Sequence, residues 1–210
     1  MDEIYSSVKA ECSAQIKVEG SRFIADLFPV LQEVEAEAKL ELVRKKYFDA
    51  THHCYAYLIG AEGKPMRYSD DGEPSGTAGV KIVSALQAKK LSDTLMVVTR
   101  YFGGTKLGVG GLGRAYFEAA EHGISASTII TKALVQEIHI AFPFSETNPV
   151  MNIIHSRKLK IAATSYTEAE TQMKLQLLPS IVPSVQKMLT DATRGIVKFT
   201  PGDLTTVAWP

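Results

Sequence analysis

LVQEIHIAFPFSETNPVMNIIHSRKLKIAATSYTEAETQMKLQLLPSIVPSVQKMLTDATRGIVKF, residues 134–199, is the stretch whose reading decides the fold. Residues 136–142 read as a strand. Residues 145–157 read as a helix, with Val150, Ile153 and Ile154 on one side. Strands follow at 160–166 and 172–178, around a polar bend. Residues 181–193 form the second helix, with Pro183 near its first turn and Gly195 placed to close its end. Residues 196–199 close the series as a strand. The order β-α-β-β-α-β is the split-βαβ, ferredoxin-like arrangement. About 75 residues is an ordinary size for a separate domain. The boundary is expected near Ala133, in a Ser/Thr-rich connection that begins at Ser125. This divides the chain into domains 1–133 and 134–210.

Upstream, residues 14–18 and 22–30 read as two strands joined by the turn Glu19-Gly20-Ser21. Residues 34–48 read as a helix, since Ala36, Leu40, Val43 and Tyr47 share one face. Its acidic start and basic end complement the helix dipole. Residues 54–59 and 66–69 are expected as strands. Ser75 or Thr77 is placed to cap a helix over 78–90. Residues 94–99 (TLMVVT) read as a buried strand. A glycine-rich loop then leads into a helix from about Leu112 to Glu121. The whole is of the α+β class.

Composition narrows the function classes. Of the 210 residues, 45% are hydrophobic and 22% charged, as in globular proteins. No apolar run approaches the roughly 18 residues of a membrane span. The opening Met1-Asp2-Glu3-Ile4 lacks the basic-then-apolar layout of a secretory leader. Cys12 and Cys54 make no disulfide framework, so a reducing cytoplasm is expected. The net charge is zero, which disfavours wholesale nonspecific nucleic-acid binding while leaving room for a local basic patch.

Two segments carry the candidate chemistry. Residues 69–79, SDDGEPSGTAG, place Asp70, Asp71 and Glu73 beside glycines and a helix start. Residues 100–116, RYFGGTKLGVGGLGRAY, place Gly103, Gly104, Gly108, Gly110, Gly111 and Gly113 among Arg100, Lys106 and Arg114. Glycine permits positive φ and close backbone approach, at a cost in chain entropy. One reading is an anion site, with backbone N–H groups at a helix start and Arg114 binding phosphate or carboxylate. The other is tight packing against a neighbouring strand. Residues 108–113 match G-x-G-x-x-G, but the preceding strand ends too early for a dinucleotide fold.

The acidic cluster also has two readings. Clustered carboxylates suit a hard divalent cation, with His52 or His53 as a nitrogen ligand or general base. Adjacent residues of a strand point to opposite faces, so at most one histidine is expected in such a site. The alternative is an acidic turn that caps a helix and pairs with the basic loop. Asp70 or Asp71 is therefore expected near Arg100 or Arg114. No zinc-type Cys/His spacing and no nucleophile with a visible base is present, and no cofactor is expected.

HHCYAY (52–57), SDDGEPSGTAG and RYFGGTKLGVGGLGRAY together resemble, in order and spacing, the signature of the IMPACT/YigZ family. The resemblance extends over the whole chain. Gly113 departs from it mildly, standing where an apolar residue such as valine is usual. The resemblance implies an N-terminal domain like elongation factor G domain IV and a ferredoxin-like C-terminal domain like domain V of that factor. It further implies translational control, which eukaryotic relatives exert through regions this chain lacks. The leading expectation is a translation-linked regulatory binding protein engaging RNA, the ribosome or a ribosome-associated protein. The alternatives are a small metal-assisted hydrolase of peptide or phosphate substrates, and a protein–protein regulator docking through the glycine loop.

Overall fold

In the computed structural model, residues 3–64 and 66–209 are described. Met1 and Asp2, on which the leader reading partly rests, lie outside them. The chain divides into two compact units. One comprises 1–132 with 208–210, and the other 133–207.

The first unit is built on an antiparallel sheet of order β2-β3-β6-β4-β5. The strands are β2 (Cys12–Val18), β3 (Ser21–Pro29), β4 (His52–Leu58), β5 (Met66–Ser69) and β6 (Thr94–Tyr101). The β2–β3 hairpin turns at Glu19 and Gly20, both with positive φ (45° and 82°). One sheet face carries Phe23, Ala25, Leu27, Cys54, Ala56, Met96 and Val98. It packs under α2 (Gly79–Ala88) and α3 (Gly108–Ala126). The other face, with Phe28, Tyr57, Leu95 and Val97, packs under α1 (Glu33–Lys46). Alternation along the strands feeds both cores, which is why the central strand β6 is buried nearly throughout. Phe23 meets Tyr116 of α3 edge-on, with ring centroids 5.2 Å apart. That geometry adds about 1 kcal/mol to simple burial.

A further strand, β1 (Ile4–Val8), precedes these and pairs with β7 (Ile129–Pro143). The Lys9 amide donates to Thr128 O at 2.8 Å within the same unit. Two expectations are corrected here. Polar Ser6 and Ser7 hide the first strand from an apolar-run reading, although Ser7 is fully buried. Residues 129–132, expected as connection, belong to one 15-residue strand.

The second unit continues with α4 (Thr147–Ser156), β8 (Lys160–Tyr166), β9 (Glu170–Leu177), α5 (Val182–Ala192) and β10 (Lys198–Ala208). Short 3-10 turns precede both helices. In space the strands run β10-β7-β9-β8. First and third are central, as the split-βαβ arrangement requires. Ile138, Ile140 and Phe142 of β7 and Met173, Leu175 and Leu177 of β9 alternate inward. They meet Val150 and Ile154 of α4 and Val185 and Leu189 of α5. Gly195, at φ 81°, closes α5 through its amide to Thr190 O at 2.8 Å. No helix among the described residues is long and apolar enough to cross a membrane.

Candidate functional site

The two unusual segments meet at one end of the first unit's sheet, on the α2/α3 face. His52 and Arg100 are directly opposed across β4 and β6. Phe23 of β3 opposes Arg100 on its other side. Arg100 Nη1 donates to Glu73 Oε1 at 2.7 Å, with both side chains buried. The Tyr116 hydroxyl donates to the same oxygen at 2.9 Å. His52 Nε2 lies 3.8 Å from the other carboxylate oxygen. His52 Nδ1 donates to Asp71 O at 2.7 Å, which aims the ring. Burial pushes both the Tyr116 phenol and the Cys54 thiol up from their ordinary ranges. Cys54 Sγ lies 3.0 Å from Asp70 O and 3.2 Å from the Tyr116 hydroxyl.

The three acidic residues go to three different tasks. Asp70 accepts the amides of Gly76, Ala78 and Gly79 at 2.8, 2.9 and 2.8 Å, and so caps the start of α2. This corrects the expectation of a Ser75 or Thr77 cap: Thr77 Oγ1 instead donates to Pro74 O. Asp71 accepts the His53 amide at 2.6 Å and lies 3.7 Å from Arg44. Glu73 alone faces Arg100. Among the described residues, no group of three His, Cys, Asp or Glu side chains has a metal-holding arrangement. His53 points away from this face, with Nε2 donating to Tyr47 O at 3.0 Å.

The glycines divide as well. A Cβ on Gly103 would lie 1.9 Å from the Gly20 carbonyl carbon, so here the chain needs glycine for a close crossing of the β2–β3 turn. Gly104 and Gly108 have φ of 88° and 68° and open space around them. The α3 helix starts at Gly108, four residues before the expected Leu112, so Gly110, Gly111 and Gly113 are helical. Poor helix propensity conceals that start. The first turn of α3 has no side-chain cap and no acidic residue. Gly108 and Val109 of that turn line a cleft of about 410 Å3, together with His52, Glu73, Arg100, Phe102, Lys106 and Leu107. Arg114 is not in that cleft. It lines a separate groove of about 630 Å3 with Lys81 and Gly76, to which Gly110 and Gly113 also contribute.

A family model described as Impact N-terminal domain matches residues 19–124. IMPACT family member YvyE of Bacillus subtilis is 33% identical over 201 residues, covering 96% of this chain and 92% of that protein. The chain belongs to the IMPACT family. IMPACT family member YigZ of Escherichia coli is 30% identical, covering 87% of this chain and 90% of its own length. A solved structure titled as that of a hypothetical protein superposes with a TM-score of 0.65 at 28% identity. It covers 97% of this chain and 99% of its own. The IMPACT family model spans His52, the acidic turn and the glycine-rich start of α3, so all the geometry above lies inside the matched segment.

Proposed function

We propose that this chain is a translation-linked regulatory binding protein that engages RNA, and that a phosphate of the RNA seats at the glycine-rich start of α3. The translational part rests on the family. The RNA part rests on one observation: an uncapped helix start, free of acidic residues, borders a cleft lined by exposed Lys106 and by Arg100 in its pair with Glu73. Helix N-termini favour anions through their unpaired N–H groups and the helix dipole. Lys106 and Arg114 are exposed, and among the described residues no ion pair engages either. They line two different grooves beside the first two turns of α3.

A metal-assisted hydrolase is less well supported, because Asp70 and Asp71 spend their carboxylates on backbone amides. The test is RNA affinity as a function of salt. Lys106→Ala with Arg114→Ala is expected to weaken binding and to flatten the slope of log affinity against log salt, by about one unit for each phosphate no longer engaged. Unchanged affinity and slope would overturn the reading.

A further inference from the structure

We propose that β8 is a self-association edge. It pairs antiparallel with β8 of a second copy about a two-fold axis at Thr164, joining two sheets into one. The inference is independent of the RNA reading above. Three observations carry it.

The first is an unguarded edge. β8 ends the order β10-β7-β9-β8, so one side of its backbone has no neighbouring strand. All seven of its residues, Lys160–Tyr166, are exposed. Such an edge presents unpaired N–H and C=O groups, and charges or proline along its length ordinarily guard it. Residues 161–167 (IAATSYT) contain neither. The bulge at Ala162 falls near the start of the strand and leaves 163–166 in regular register.

The second is uncovered side-chain surface. Ile161, Thr164 and Tyr166 oppose Leu175, Met173 and Thr171 of β9, which are buried on the helix side of the sheet. Yet Ile161 is 37% exposed and Tyr166 71%. The helix layer therefore covers β9 and stops short of β8. Pairing about Thr164 sets the Ile161–Ala162 bulge against Tyr166 of the second copy on that same face, so each covers the other.

The third is charge. Lys158 and Lys160 stand at the entry to β8 and Glu168 just past its exit, all exposed. Among the described residues no ion pair engages any of the three, whereas Glu170 of β9 pairs with Lys198. Antiparallel pairing lays the entry of one copy beside the exit of the other, and the two-fold makes that contact twice. Parallel pairing would set lysine on lysine. An edge that is basic at its entry, uncharged in its middle and acidic at its exit is complementary to itself, which selects a second copy as the occupant. An edge this short buries less than a standard interface, so the dimer is a weak one.

The test is sedimentation of the full chain at rising protein concentration. The average mass is expected to climb from 22.9 kDa toward twice that value. Lys160→Glu and Glu168→Lys are each expected to weaken association about tenfold, because symmetry repeats the like-charge contact. Combining the two is expected to restore it. Both side chains are exposed, so the variants keep the fold. In a Cys12→Ser background, Thr164→Cys is expected to give a disulfide-linked dimer under mild oxidation. Opposed Cα atoms of an antiparallel pair lie about 4.5–5.5 Å apart, within disulfide reach, and Cys54 is buried. A monomer at every concentration, a dimer indifferent to the charge reversals, or a dimer that fails to cross-link through position 164 each overturns the inference. None of these outcomes bears on RNA binding.

Discussion

Arg100 and Glu73, 27 residues apart in sequence, form a buried ion pair of 2.7 Å at the junction of the two distinctive segments. The pair anchors the acidic turn to the strand that precedes the glycine-rich loop. Removing one partner leaves a buried charge uncompensated, at a cost of about 3–5 kcal/mol. Glu73→Gln is therefore expected to lower unfolding free energy by about 3 kcal/mol in urea. Glu73→Leu combined with Arg100→Met is expected to cost less than either single change. Additive losses would show that the two side chains act independently.

Asp70 gathers three backbone amides on one carboxylate. Asp70→Ala is expected to destabilise the first unit by about 2 kcal/mol, the upper range for a lost cap. Ser75→Ala is expected to change stability by less than about 0.5 kcal/mol. Thermal melts of both variants decide the point, and the reverse ranking would put the cap back on Ser75.

Gly103 and Gly104 are neighbours with opposite constraints. A methyl on Gly103 enters the backbone of Gly20, whereas one on Gly104 meets open space at a φ of 88°. Gly103→Ala is expected to cost about 3 kcal/mol through overpacking. Gly104→Ala is expected to cost about 1 kcal/mol through left-handed backbone strain alone. Equal losses in denaturant titrations would contradict the close crossing.

Cys54 is fully buried. Burial raises its thiol above the ordinary value of 9.0, aided by the charges of Glu73, Asp71 and Asp70 and opposed by the Tyr116 hydroxyl. The sign follows: the folded state holds this proton more tightly than the unfolded state. The associated stability is complete below pH 9.0 and is lost as pH rises above it. At neutral pH, Cys54 is expected to resist iodoacetamide until the chain unfolds. Mass spectrometry of pulse-labelled protein measures this, and rapid native labelling of Cys54 would refute it.

Regular periodicity is the most legible part of the sequence. The β-α-β-β-α-β series is readable because apolar residues alternate along β9 and recur on one side of α4. The β2–β3 hairpin is readable from Gly20. The features that the sequence conceals have nonlocal causes. The α2 cap comes from Asp70, eight residues before Ala78, beyond any local capping pattern. The start of α3 is written in glycines, which pattern reading assigns to loops. The site is legible as two odd segments, and their meeting needs the strand register that opposes His52 to Arg100. Of the acidic cluster, which carboxylate faces the basic strand is not legible. Asp71, Gly72 and Gly76 all take positive φ there, and only the turn they make decides that Glu73 points inward.

The glycines that open α3 also make its first turn the weakest part of the helix. Gly110, Gly111 and Gly113 each cost about 1 kcal/mol relative to alanine in a helix interior. Gly108, Gly110, Gly111 and Gly113 fall within its first six residues. Such a segment sits at the low end of local opening free energies, so its amides exchange with deuterium ahead of those near Ala119 and Ala120. An occupant of the cleft must order that turn as it binds, and slowed exchange at 108–111 becomes a direct read-out of its arrival.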